Sequence, residues 1–358
     1  NVAVLNALRA LPFRNLRQTH DPGAAAISGE AFAERTLLRN AACAGCPVGC
    51  IHIGFVREKF MEPNQYLYRQ VSYDHEPIFA VGAMLAVCDP FAALDLMEEA
   101  DRAGLDVMSA GVALAWATEA FATGLLSERE TLLPLAFGDA RAYAQAIWHL
   151  ARGENDFYRL LASGVERAAA HYGGAEFACV LGQEMAGYAT GEVFFVSQAL
   201  GFRHSHLDSA GYAYDQRHEK PGVEDACRHL FAEEQGRCLL TSMAACLFAR
   251  AVYTEERLAA CLEAAGWGEI ASRLPEIARR VQAERWRLRL KGGFTPEEVP
   301  FPRRFTEVAT WKGPIDPAFL ARLQAETARG IRRLAAQAEE DRAGGAAASG
   351  VDAPAAEG

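Results

Sequence analysis

From Glu76 to about Arg342, apolar residues recur at intervals of three and four along the chain. That is the period of helices turning one face inward. Asp89-Pro90 reads as a helix start, with Asp as N-cap and Pro in the first turn, and Gly104 stands where a C-terminal cap belongs. Val107 to Thr123 reads as an Ala-rich helix closed by Gly124, and Ser127 to Glu130 has the spacing of a capping box. Asp139 and Asn155 or Asp156 predict two further N-caps, for helices ending near Gly153 and Gly173. A short strand is expected over 177–183, then an irregular glycine-containing stretch to about Gly222. Helices are expected over 223–235, 239–252, 255–265 and 268–289, with a long amphipathic one from Asp316 to Arg342.

The first 75 residues follow other patterns. An apolar run from Val2 to Leu11 ends at Pro12, and a loop at Asp21-Pro22-Gly23 precedes a helix expected from Glu30 to Asn40. Residues 51–73 alternate apolar and charged positions, which predicts a hairpin turning near Glu62-Pro63-Asn64. Residues 343–358 are Ala, Gly, Ser and Pro with a few acids, and a disordered tail is expected. No internal repeat is visible. The predicted class is mainly α and multihelical: two helical domains, 1–175 and 176–342, with a minor β-hairpin near the cysteine cluster.

Composition narrows the function classes. A chain of 358 residues with 51% hydrophobic and 23% charged residues is ordinary for a globular protein with a sizeable core. Its net charge of −10 argues against non-specific nucleic-acid binding, which needs a basic excess. No apolar run approaches the length that spans a bilayer, and no charged-then-apolar leader opens the sequence. A cytoplasmic location is expected. The first residue is Asn rather than Met, so a fragment or a processed piece is also expected.

Cysteine placement changes the picture most. Cys43, Cys46 and Cys50 fall within eight residues, in Cys-Ala-Gly-Cys-Pro-Val-Gly-Cys. Gly45 and Gly49 each precede a cysteine, where a backbone without Cβ can curl so that several sulfurs converge, and Pro47 stiffens the turn. Three convergent thiolates with one remote cysteine are how a [4Fe–4S] cluster is commonly held. A zinc knuckle or plain core cysteines are the alternatives, but zinc usually wants a second pair and His52 alone does not supply one. Nine cysteines in all, an odd number, point to a reducing compartment and metal ligation rather than to disulfides.

Three further stretches carry possible chemistry. In Asp101-Arg-Ala-Gly104-Leu105-Asp106, Asp106 stands where a helix begins; its carboxylate suits either helix capping or a ligand's ring nitrogens. In Tyr73-Asp-His-Glu76, a carboxylate at the mouth of an apolar helix is a candidate general base with a shifted pKa, or a member of a capping cluster. In Arg203-His-Ser-His206-Leu-Asp208, the two histidines suit metal ligation, proton donation or a hydrogen-bonded loop.

In combination, these stretches resemble the aldehyde ferredoxin oxidoreductase family of tungsten-pterin enzymes. The resemblance runs from Leu11-Pro12 and Asn15 to Arg304-Phe305. The family's A-C-x-x-C-P-x-G-C signature appears as Ala42 to Cys50, and its D-x-x-G-L-D pterin motif as Asp101 to Asp106. Glu76 lies 25 positions before that motif (101 − 76), like the family's active-site glutamate. Gly182-Gln-Glu-Met185 precedes His206 as a similar segment precedes the family's histidine. Lys291-Gly-Gly-Phe294 and Pro302-Arg-Arg-Phe305 resemble the closing segment. The family's second pterin motif, D-x-x-G-L-C, is matched by Thr241 to Cys246, where Thr241 stands in place of the acid. The family's N-terminal β-rich domain has no counterpart in this sequence, so a fragment or a complementary subunit is implied.

The resemblance implies oxidation of a small aldehyde to a carboxylic acid, with electrons passed through the cluster to ferredoxin or another iron–sulfur acceptor. Tungsten or molybdenum would be held by two pterins. Cys43, Cys46, Cys50 and Cys246 would hold the cluster. Asp101, Gly104, Leu105, Asp106 and Ala245 would contact the pterin. Glu76 would serve as general base and His206 as proton-sharing partner, with His204 and His75 as second choices. Cys88, Cys179, Cys227, Cys238 and Cys261 are expected to be core thiols. Two other readings follow from the same residues: a tungsten-dependent reductase subunit acting on aromatic acyl thioesters, and an iron–sulfur electron-transfer module without tungsten.

Overall fold

The computed structural model of the chain describes residues 1–61 and 65–349. The turn expected at Glu62-Pro63-Asn64 lies outside them. The chain divides into two compact units, Asn1–Phe195 with Pro300–Pro317, and Val196–Val299 with Ala318–Gly358. The first division therefore falls at residue 195 rather than 175, and a later segment, 300–317, returns to the first unit. That return was hidden from the sequence because its anchor is a tertiary contact: buried Arg304 donates to Glu119 Oε1 at 2.6 Å and to the Asn15 carbonyl at 2.7 Å.

The first unit opens with α1 (Val2–Ala7) and α2 (Gly29–Arg35), the latter capped by the Ser28 hydroxyl. A helix was expected to run on to Asn40. Instead Leu37–Ala41 forms β1, because it pairs antiparallel with β2 (Ile51–Met61), which pairs in turn with β3 (Gln65–Tyr73). Non-local pairing overrides the local helical pattern here. The result is a three-stranded sheet in sequence order, with the cysteine loop as the connection between β1 and β2.

A single turn, α3 (His75–Pro77), follows the sheet and continues into a widened helical segment, Ile78–Ala83. Its hydrogen bonds reach five residues back, as from Met84 N–H to the Phe79 carbonyl at 2.8 Å. This wide winding frequently marks functional sites. Asp89 caps α4 (Pro90–Arg102), and Asp106 caps α5 (Val107–Ala122), whose residues 110–120 are all buried. Gly111 is required in α5: a Cβ there would lie 2.7 Å from the Ala80 backbone. Around this core lie α6 (Glu128–Thr131), α7 (Ala140–Arg152), α8 (Asp156–Leu161) and α9 (Val165–Tyr172). The strand expected over 177–183 is absent, and an isolated Val180–Glu184 bridge stands there instead. Three residues facing their own loop give no partner strand to build on.

The chain leaves the first unit within α10 (Glu192–Ala199). The second unit contains α11 (Gly211–Asp215) and then α12 (Val223–Ser242) as one uninterrupted helix. A break was expected at Gly236, but a helical glycine costs only about 1 kcal/mol, less than packing returns. The expected helix 239–252 is correspondingly reduced to the end of α12 and a short 3₁₀ turn, Leu247–Ala249. Next come α13 (Glu255–Ala264), α14 (Gly268–Ala271) and α15 (Leu274–Lys291), the last two separated because Pro275 sits in a new first turn. After α16 (Arg304–Glu307) and the short β4 (Ala309–Thr310) and β5 (Gly313–Pro314) in the first unit, α17 (Pro317–Ser349) completes the second. It passes residue 342, where a tail was expected, because alanine is the strongest helix former. No single helix among the described residues is long and apolar enough to cross a membrane.

Candidate active site

The first unit gathers four titratable groups at the end of β3. Asp74 caps α3 by accepting the His75 N–H at Oδ1, 2.7 Å away. The same carboxylate lies 2.6 Å from His75 Nδ1. The other ring nitrogen, Nε2, is 2.9 Å from Glu76 Oε1 and 2.9 Å from the Tyr188 hydroxyl. That hydroxyl donates to Glu76 Oε1 at 2.7 Å. Burial works against charge on His75, but the hydrogen bonds and charges of Asp74 and Glu76 outweigh it and raise its pKa from 6.5 to about 9. The ring is therefore an imidazolium at neutral pH, donating from both nitrogens. Tyr188 is 3% exposed and its ring meets Phe79 and Phe194 edge-on. Gly187 permits this fit, since a Cβ there would stand 2.6 Å from the Phe79 ring.

Glu76 keeps 14% of its side chain exposed, so one face of this buried network opens outward. A carboxylate held in a fixed orientation and partly open can accept a proton from a bound reactant. Tyr188 was not found from sequence. It lies in an irregular stretch 112 positions from Glu76 (188 − 76), with no periodicity or motif to mark it.

The cysteine loop leaves the same sheet at its other connection. Gly45 and Gly49 adopt left-handed backbone at φ 71° and 63°. Nothing lies within 4 Å of where either Cβ would be, so both glycines border open space. Cys46 N–H donates to the Cys43 carbonyl at 3.0 Å, closing the first turn. Cys43 is exposed and Cys46 and Cys50 half-buried, all three as free thiols. Three accessible thiols on a loop with room beside it fit a thiolate-held cluster. The joint between α4 and α5 is also open: Gly104 is left-handed at φ 73°, while Asp101 and Asp106 are exposed. Asp106 Oδ1 accepts the Ser109 N–H at 2.7 Å, so capping is one of its tasks. Leu105 is half-buried.

The second unit carries His204, His206 and Cys246. Asp208, almost fully buried, ties the histidine loop by accepting from the Arg203 and Ser205 N–H groups at 2.8 and 3.2 Å. His204 is occupied at both nitrogens: Nδ1 meets the Ala199 carbonyl at 2.8 Å and Nε2 the Arg289 guanidinium. Burial, with Arg289 beside it, holds its pKa below the usual value. His204 is thereby a structural member of the loop. His206 is half-buried, with Tyr212 edge-on at 6.1 Å.

Cys246 is exposed because of what flanks it. Met243, Ala245 and Leu247 pack against the core of Leu239, Leu240, Leu258, Leu262 and Leu274, which turns Cys246 outward. Ala245 is half-buried, and its N–H donates to the Leu240 carbonyl at 3.1 Å. Thr241 donates to the Arg237 carbonyl at 2.8 Å and so bonds its own helix. Cys179, Cys227 and Cys238 are buried, and burial pushes the Cys179 and Cys238 thiols up to about 12 and about 11. Cys88 is half-buried, and Cys261 is exposed rather than a core thiol, because it lies on the outer side of α13.

The sequence of the chain matches a known set of proteins. The profile of the family described as "Aldehyde ferredoxin oxidoreductase, domains 2 & 3" covers residues 1–329. The chain belongs to the aldehyde ferredoxin oxidoreductase family. A tungsten-containing aldehyde ferredoxin oxidoreductase of Pyrococcus horikoshii is 27% identical over 336 residues, covering 87% of this chain and 53% of that protein. One from Pyrococcus abyssi is 30% identical over 192 residues, 52% of this chain and 30% of its own length. The aliphatic sulfonate oxidoreductase, WOR-like subunit, of Pyrococcus furiosus is 29% identical over 159 residues, 44% of this chain and 24% of its own. Among solved structures, the active-site complex BamBC of benzoyl coenzyme A reductase with 1,5-dienoyl-CoA shares the fold. Its TM-score is 0.68 at 14% identity, over 90% of this chain and 55% of that one. The chain spans about half the length of the curated relatives it matches over most of its length.

In this member of the family, Glu184 of the Gly182–Met185 segment accepts the Val165 N–H at 3.0 Å and so caps α9. The motifs at either end of the chain meet in the first unit. Arg14, Asn15 and Leu16 are consecutive left-handed residues at φ 51°, 54° and 55°. Arg304 and Glu119 lock this turn from within, and Asn15 Nδ2 donates to Glu119 Oε2 at 2.7 Å.

Proposed function

We propose that this chain is the helical portion of a tungsten-pterin, [4Fe–4S] oxidoreductase that oxidises an aldehyde to a carboxylic acid and delivers the electrons to ferredoxin. The observation that carries the reading is the Asp74–His75–Glu76–Tyr188 network, set on a chain of this family. Cys43, Cys46 and Cys50 would hold the cluster, with Cys246 as fourth ligand. Asp101, Gly104, Leu105, Asp106 and Ala245 would contact the pterin. When bound, the pterin-held tungsten supplies the two-electron acceptor and the cluster passes electrons on singly.

The chain's own residues then manage protons. Converting an aldehyde and water to a carboxylic acid releases two protons and two electrons. Glu76 takes a proton from the attacking water or from the hydrated aldehyde, at Oε2 or at the oxygen shared with Tyr188. The His75 ring and the Tyr188 hydroxyl hold Glu76 in a fixed orientation before that transfer. His206 would hydrogen-bond the substrate oxygen and share the proton. The electron-transfer module without tungsten gives this four-residue network no task.

Reconstitution tests the reading. The chain supplied with a β-rich complementary half, tungsten and iron should oxidise aldehydes with ferredoxin as acceptor. Glu76→Gln should lower kcat by about 10² to 10⁴, with iron and tungsten content unchanged. Full activity in Glu76→Gln would refute the assignment.

A further inference from the structure

The three-stranded sheet turns one face toward the helices of its own unit. There α4 covers it: Gly54 leaves room for Leu94, whose Cδ1 would lie 2.9 Å from a Cβ, and Arg69 reaches Asp95 and Glu98. Strand register places Ile51, Phe55, Tyr66 and Tyr68 on the opposite face, with Arg39 and Arg57. Contacts confirm the shared face: the Arg57 guanidinium lies 3.6 Å from the centre of the Tyr66 ring and 5.7 Å from that of Tyr68, and Phe55 meets Tyr68 at 6.3 Å. Tyr68 is 61% exposed. Neither Arg39 nor Arg57 is paired with a carboxylate among the described residues, although the chain carries a net −10.

This face starts at the cysteine loop. Ala41 ends β1 two residues before Cys43, and Ile51 opens β2 directly after Cys50. Arg57 is six residues further on, about 20 Å along an extended strand, a span that one small protein domain covers. An aromatic patch rimmed by cations is typical of interfaces whose charge steers an acidic partner and whose rings supply contact area. A second copy of the chain fits poorly, since a two-fold contact through this face would set the same arginines against each other.

We propose that this outer sheet face docks an acidic iron–sulfur electron-transfer protein beside the cysteine loop. The proposal rests on the reading that the loop holds a cluster. It is tested on the full chain, with its cluster and its complementary half, by calorimetric titration with an oxidised acidic [4Fe–4S] ferredoxin at low and physiological salt. Arg57→Glu and Tyr68→Ser should each raise Kd at least about tenfold, roughly the effect of one interface anchor. Arg141→Glu, on α7, should stay within about twofold of the unaltered protein, as surface charges away from an interface do. Unchanged affinity in both sheet variants would overturn the proposal, as would an equal loss in Arg141→Glu. Sedimentation showing a dimer that Tyr68→Ser dissociates would assign the face to a second copy instead. Iron analysis of the same samples separates the two claims. A chain without iron refutes the cluster reading, whereas an iron-replete chain that ignores ferredoxin refutes only the docking.

Discussion

At the scale of residues, His75 decides how the site responds to pH. Its pKa stands near 9 in the folded chain against 6.5 for the free side chain. The folded state therefore keeps a proton that the unfolded state releases above pH 6.5, and the stability this contributes is lost as pH climbs through about 9. The thermal midpoint of the native chain should fall more steeply between pH 7 and 10 than that of His75→Gln, as measured by scanning calorimetry. Parallel curves for the two proteins would show that the imidazolium is not held as described. Tyr188→Phe removes the hydroxyl that donates to Glu76. It should cost about 1.5 to 3 kcal/mol, the usual value of a hydrogen bond to a charged group, and lower kcat more than it raises KM. A change confined to KM would move Tyr188 out of the proton-handling network.

At the scale of elements, the buried Arg304–Glu119 pair fastens α16 to α5 and to the left-handed turn at Asn15. Arg304→Ala strands Glu119 and the Asn15 carbonyl in a dry interior. We expect a loss of about 3 to 5 kcal/mol, read as a lower urea midpoint, whereas an exposed pair such as Arg228–Asp225 should give less than about 1 kcal/mol when broken. Equal effects would mean that the buried pair is not what fastens the segment. Gly111→Ala belongs to the same scale, since its methyl would enter the Ala80 backbone. Overpacking of this kind costs about 1 to 3 kcal/mol and should loosen the widened segment that follows Glu76.

At the scale of the whole molecule, the chain spans about half of its curated relatives. A cofactor shared with a further domain would leave this chain, expressed by itself, able to take up iron but unable to turn over an aldehyde. Anaerobic purification should yield about four irons per chain, with Cys46→Ser losing most of them and gaining no activity. Tungsten-dependent turnover by the isolated chain would overturn that expectation.

Much of this organisation was legible in the sequence because it is local. The N-caps at Asp89, Asp106, Asp139 and Asn155 each accept the helix amide their spacing predicts. The cysteine spacing and its two glycines predict a curled loop, and the period from Glu76 onward predicts a mainly helical fold. What the tertiary structure decided is non-local. Leu37–Ala41 became a strand because β2 was there to pair with it. Gly236 stayed helical because α12 packs along its length with other helices, and the segment 300–317 joined the first unit through Arg304. The site divides in the same way. Asp74, His75 and Glu76 are neighbours in sequence, so their cluster could be read there; Tyr188 reaches them only through the ring packing of Phe79 and Phe194. A hydrogen bond across 112 positions leaves no periodic trace, because its geometry is set by the packed core and not by the chain's own spacing.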